Sequence, residues 1–217
     1  MMTTYNGVIF DMDGVLVDSE RLYLKANLAA GEAQGLTLTA ADYAPLAGTT
    51  NATARAFYQK YFPGDRAQEF LDDTYALVDE YVAAGDLRPK PGVAELLETL
   101  QKAGIPLAVG SSNYHTMVHR FLAKIGITDR FSAIVTGDDV AHGKPAPDIF
   151  LAAAKALDID PTRALVVEDS VNGIQAALNA EMTPVLIPDL RSAEQVVQEV
   201  GRPILVAPDL LHIAELF

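Results

Sequence analysis

Two carboxylates one residue apart close the first apolar run of the chain: Val8-Ile9-Phe10 leads into Asp11-Met12-Asp13-Gly14. Period-two alternation points Asp11 and Asp13 to the same side, and Gly14 lets the backbone turn away behind them. Close carboxylates repel unless a proton or cation lies between them. Taken alone, the pair also reads as a strand end followed by an Asp-rich turn. Three further pieces follow. Gly110-Ser111-Ser112-Asn113 places hydroxyls and an amide after an apolar run, where Ser111 and nearby N–H groups can cradle a phosphoryl group or simply form a turn and helix cap. Lys144, in Gly143-Lys144-Pro145-Ala146-Pro147-Asp148, can neutralise an anion or stand solvated in a loop, with His142 close by. Glu168-Asp169-Ser170 adds acids that can face Asp11 and Asp13 across a gap a cation would fill, or cap the next helix. Mg²⁺ suits such a site because it takes hard oxygen ligands and shares phosphate oxygens.

These pieces need a scaffold that brings strand ends together. From Gly92 onward, helical and strand-like segments alternate at βα spacing. Helices are expected over about 93–103, 116–125, 147–157 and 171–180, and strands at 106–110, 133–135, 164–167 and 184–187, with a weak one at 204–206. With residues 8–10 this predicts an α/β fold, a doubly wound, mostly parallel, Rossmann-like sheet in the order 3-2-1-4-5, with every acidic piece at one edge. Between residues 19 and 88 the pattern is helical only, around 20–34, 51–61 and 66–84, far longer than an ordinary connection. The reading is therefore a core domain of residues 1–18 and 89–217 with an inserted all-helical domain at 19–88.

Composition narrows the partners. Sixteen Lys and Arg against 29 Asp and Glu give a formal charge of -13, which argues against a nucleic-acid backbone as partner. No apolar run reaches the roughly 18 to 20 residues of a membrane span. With no secretory pattern at the N-terminus and no cysteine, the chain reads as cytoplasmic, monomeric or weakly homodimeric. His115, His119 and His212 show no zinc-site spacing.

In order and spacing, Phe10-Asp11-Met12-Asp13-Gly14-Val15-Leu16-Val17-Asp18-Ser19, Ser111, Gly143 to Asp148 and Glu168-Asp169-Ser170 resemble the four motifs of the haloacid dehalogenase-like hydrolase superfamily. The helical insertion resembles the cap of the branch that contains β-phosphoglucomutases and phosphoglycolate phosphatases. The resemblance implies that Asp11 is a nucleophile forming an aspartyl phosphate and that Asp13 is the general acid and base. It implies Mg²⁺ held by the Asp11 and Asp169 carboxylates and the Asp13 carbonyl, with Glu168 near the metal. It assigns the phosphoryl oxygens to Ser111 and Lys144, with Ser112 and Asn113 beside them. The expected substrate is a small sugar, sugar-acid or polyol phosphate.

In the cap, Glu20, Tyr23 and Asn27 share a helix face at spacings of three and four, and Glu20 can equally point outward as a solvated carboxylate. Thr50, Asn51 and Arg55 offer further polar contacts for the organic group. Tyr23 aligns where a β-phosphoglucomutase carries histidine, and Asn51 lies near the position of its cap-loop arginine. The departures favour transfer to water, and a phosphosugar mutase is the enzymatic alternative, with Arg55 standing in for that arginine. A non-catalytic binding module is the alternative of another class; it leaves Asp11, Asp13, Lys144 and Asp169 without a shared purpose.

Overall fold

The computed structural model describes residues 5–46 and 51–217. The chain divides into two compact units, Met1–Val17 with Pro89–Phe217, and Asp18–Arg88. In chain order the elements are β1 (Gly7–Phe10), α1 (Ser19–Ala33), α2 (Ala40–Tyr43), α3 (Asn51–Tyr58), α4 (Arg66–Ala84), α5 (Val93–Lys102), β2 (Leu107–Gly110), α6 (His115–Lys124), β3 (Ala133–Val135), α7 (Asp148–Ala156), β4 (Ala164–Glu168), α8 (Val171–Asn179), β5 (Thr183–Leu186), α9 (Ala193–Val200) and β6 (Leu205–Val206). Short 3₁₀ turns fill several connections.

In the first unit the strands pair in parallel in the order β3-β2-β1-β4-β5-β6. This is the expected order with the weak last strand added beyond β5. β1, β2 and β4 are buried along their whole lengths, as strands covered on both faces must be. On one face Ile9, Ala108 and Val166 pack with Ile149, Phe150, Ala153 and Ala154 of α7 and with Ala176 and Ala177 of α8. Small alanines let the helices approach the sheet closely. On the other face Phe10 meets Phe131 edge-on at 6.2 Å. The register sets Phe10 opposite both Val109 and Val167, so the residues that follow these strands emerge at one level of one edge.

Helix α9, outside the expected elements, is a short helix that buries Val196 against Ile174 and Leu186. Its start is marked by a capping box in which Ser192 and Gln195 each bond the other's backbone. Helix α3 stops at Tyr58, short of the expected 61, and α2 is a single turn outside the expected helices. Neither offers the length over which helical periodicity shows.

Among its described residues the second unit has helices joined by turns and coil, with α1 packed on α4. Its core is aromatic: the Phe70 ring lies 4.6 Å from Tyr58 and stacks on Phe62 at 4.9 Å. The chain passes between units at two neighbouring points. Val17 bridges Pro89 in antiparallel fashion, and the Asp18 N–H donates to the Arg88 carbonyl at 3.0 Å. Among the described residues, no helix is long and apolar enough to cross a membrane.

Candidate active site

The site lies at the C-terminal ends of β1, β2 and β4. Asp11 directly follows β1, and its N–H donates to the Val167 carbonyl at 2.9 Å, which fixes it beside β4. A tight turn follows. Leu16 and Val17 donate to the Met12 carbonyl, and Gly14 and Val17 bond across it. Gly14 adopts φ +73°, the left-handed conformation that side chains resist.

Lys144 reaches Asp11 from the loop before α7. Its Nζ lies 2.5 Å from Asp11 Oδ1 and 2.8 Å from Glu168 Oε1, with only 6% of its side chain exposed. The Lys144–Pro145 peptide bond is cis. Burial disfavours the Lys144 ammonium, but Asp11 and Glu168 outweigh it and raise its pKa. Burial pushes the Asp11 carboxyl up to about 7, Lys144 opposes the shift, and Glu168 and Asp13 add to it. One lysine therefore serves two buried carboxyl groups, one more than its charge can neutralise.

Glu168 is held from several sides. Its Oε2 accepts from the N–H groups of Asp169 and Ser170 and from Ser170 Oγ, at 2.8 to 2.9 Å. The same Ser170 Oγ caps α8 by accepting from the Gly173 N–H at 3.0 Å. Gly173 is required by this packing, because a Cβ there would lie 1.6 Å from Glu168 Oε1. Glu168, which the family resemblance sets near the metal, thus has its oxygens turned to Lys144 and to the start of α8.

Asp13 is partly exposed and accepts from Asn113 Nδ2 at 2.6 Å. Ser111 is buried; its N–H donates to the Val135 carbonyl, and its Oγ accepts from the Asn113 N–H at 3.2 Å. Ser112 is exposed. His142 bonds Asp148 through Nδ1 at 2.9 Å and is largely exposed. Asp169 lies against the turn after β1: a Cβ on Gly14 would sit 2.2 Å from its Oδ2.

The residues present fit a hard divalent cation. Asp11 and Asp169 could offer carboxylate oxygens and Asp13 a backbone carbonyl. The surplus of buried carboxyl groups over cations around Asp11 favours added positive charge. The bare backbone at Gly14 leaves the space in which Asp169 stands. Among the described residues no three His, Cys, Asp or Glu side chains gather into a cage of their own, so the cation would complete its shell with water and substrate oxygens, as Mg²⁺ commonly does.

Of the cap residues, Glu20 is buried and accepts from Tyr43 Oη at 2.9 Å, so it is not an outward solvated carboxylate. Burial, then Glu20, raises the Tyr43 pKa far above its ordinary value. Asn27 is buried too and accepts from Tyr58 Oη at 2.8 Å. Tyr23 meets Tyr75 edge-on at 6.2 Å, and Arg55 pairs with Asp65 at 3.2 Å. Asn51 opens α3, while its side chain and the whole of Thr50 lie outside the described residues. The helical spacing revealed the shared face of α1; the tyrosines that bond it come from elsewhere in the chain and carry no local signal.

Residues 5–181 match the model for haloacid dehalogenase-like hydrolases. The chain is 34% identical to protein CbbY of Cereibacter sphaeroides over 83% of each chain. It is 29% identical to a phosphorylated carbohydrates phosphatase of Thermotoga maritima over 93% of this chain and 94% of that one. The structure superimposes on a haloacid dehalogenase family hydrolase of Deinococcus radiodurans, solved with bound phosphate and sodium, with a TM-score of 0.81, 28% identity and coverage of 99% and 98%. A chain matched over most of its length, with its acids and serine at adjoining strand ends and its lysine reaching them from a loop, belongs to the haloacid dehalogenase-like hydrolase family.

Proposed function

We propose that this protein is a Mg²⁺-dependent phosphatase of small phosphorylated metabolites that works through an aspartyl phosphate on Asp11. The observation that carries the reading is the buried contact of Lys144 with both Asp11 and Glu168 beside a second, separately held aspartate, Asp13. Asp11 attacks phosphorus as the P–O bond to the organic group breaks, and Asp13 protonates the leaving oxygen. Asp13 then takes a proton from water, which attacks the acyl phosphate and releases inorganic phosphate with Asp11 restored. Asn113 keeps Asp13 in place for both transfers. Lys144 and Ser111 receive the equatorial oxygens, Lys144 offsets charge as Asp11 approaches, and Glu168 orients that lysine. Asp11, Asp169 and the Asp13 carbonyl would hold Mg²⁺, which would supply charge neutralisation for the phosphoryl group when bound.

The preferred organic group is a sugar, sugar acid or polyol, a reading supported by the likeness to a phosphorylated carbohydrates phosphatase. Glu20, Tyr23, Thr50, Asn51 and Arg55 are the cap residues whose replacement should change that preference. The test is a screen of phosphomonoesters with Mg²⁺, including β-glucose 1-phosphate with and without catalytic glucose 1,6-bisphosphate. Phosphate release in excess of isomerisation is expected. Bisphosphate-dependent formation of glucose 6-phosphate with little free phosphate would instead make the protein a mutase.

A further inference from the structure

A fifth strand end also sends a carboxylate to this edge. Asp189 lies three residues beyond β5, where the Ile187 N–H donates to the Glu168 carbonyl at 2.8 Å and ties the segment to the end of β4. The Asp189 side chain is only 1% exposed. Its Oδ1 meets Lys90 Nζ at 2.5 Å, whereas its Oδ2 is buried without a hydrogen-bond partner. A buried carboxylate oxygen left unsatisfied is costly, and such groups call for a donor.

The direction of Oδ2 identifies where that donor belongs. A Cβ on Gly14 would lie 3.2 Å from Asp189 Oδ2 and 2.2 Å from Asp169 Oδ2, so the two aspartates converge on one point beside the turn that follows Asp13. Lys90 is anchored to that turn as well: its N–H donates to the Leu16 carbonyl at 3.0 Å. Its ammonium therefore arrives at Asp189 from a backbone already fixed to the nucleophile's turn.

We propose that Asp189 is a positioning residue of the cation site, its Oδ2 accepting a hydrogen bond from a water molecule carried by the divalent cation, with Lys90 holding the carboxylate in that orientation. The inference rests on the cation reading given above for Asp11 and Asp169. An acceptor behind a metal-bound water fixes that water's orientation and strengthens metal binding without touching the metal. Lys90 neutralises Asp189, so the carboxylate does not add an unpaired charge to an edge already rich in acids.

The test is direct titration of the purified full chain with Mn²⁺, with free Mn²⁺ read by electron paramagnetic resonance and thermal unfolding measured in parallel. Asp189→Asn should weaken Mn²⁺ binding about tenfold. Because that variant leaves Lys90 buried without its partner, the double variant Lys90→Met with Asp189→Leu accompanies it. Replacing both charges by apolar groups should restore thermal stability but leave Mn²⁺ binding weak. Recovery of full Mn²⁺ affinity in the double variant, or unchanged affinity in folded Asp189→Asn, would reduce the pair to an ordinary structural ion pair and overturn the proposal. Asp169→Ala separates the two levels. If it weakens Mn²⁺ binding while the Asp189 variants do not, only the role of Asp189 fails; if it too leaves binding unchanged, the cation reading fails and takes this inference with it.

Discussion

Both units of the chain bury polar side chains, but they do so on different terms. In the helical unit Glu20 is answered by Tyr43 and Asn27 by Tyr58, each through a hydroxyl at ordinary hydrogen-bond distance. At the sheet edge Lys144 is divided between Asp11 and Glu168, and Asp189 keeps one oxygen without a partner. Burial is therefore a poor guide to function by itself. A polar group bonded to a neutral hydroxyl has its demand met within the fold, whereas acids in excess of their cations favour something that binds.

This contrast can be broken most sharply at Asp11. Asp11→Asn should cut turnover of any phosphomonoester by more than about a thousandfold while circular dichroism and thermal unfolding stay near those of the parent, because the amide removes the nucleophile. Near-normal turnover in the folded variant would empty the edge of its chemical meaning. Asp13→Asn should cost roughly a hundredfold or more by removing proton transfer, and it should cost least on aryl phosphates whose leaving groups need no proton. Equal losses on alkyl and aryl esters would mean that Asp13 acts on the attacking water alone and not on the leaving oxygen.

Gly173→Ala tests whether Glu168 acts through its neighbours. The new methyl has no room beside Glu168 Oε1, so the carboxylate must shift and Lys144 loses one of its two partners. Turnover is expected to fall about tenfold to a hundredfold, with a stability loss of about 1 to 3 kcal/mol from overpacking. A stability loss with unaltered turnover would make Glu168 structural only. The smallest effect belongs to the helical unit. Burial pushes the Tyr58 pKa up to about 12, so its hydroxyl stays a donor across the working range. Tyr58→Phe strands the Asn27 oxygen and should lower stability by about 1 to 3 kcal/mol, read by denaturant unfolding, while aryl phosphate turnover changes less than twofold. A large activity loss there would mean that the pair does more than pack helices.

How much of this was legible in the sequence follows the range of the interactions. Asp11, Ser111, Lys144 and Asp169 stand at or after recognisable strand ends; βα periodicity gives the alternating elements, but more than one doubly wound order fits that alternation, so it does not by itself gather β1, β2 and β4. Asp189 had no comparable signal. It is a lone acid after β5, and its place beside Asp169 depends on a pairing distant in sequence and on Lys90, which lies before α5. The orientation of Glu168 was equally hidden, since it depends on the missing Cβ of Gly173 and on Ser170 turning back to cap α8. Helix α9 escaped for a simpler reason: its eight residues bury a single side chain, too little for an apolar stripe to stand out.

The side-by-side crossings at Val17 with Pro89 and at Asp18 with Arg88 make the whole of residues 18–88, topologically, the loop of a hairpin. From the core's side, what matters is that the two ends meet, and the entropy of closing a loop grows only slowly with its length. The helical unit is thus a cassette. As far as loop closure goes, its length can change with little cost to the sheet that carries the acids.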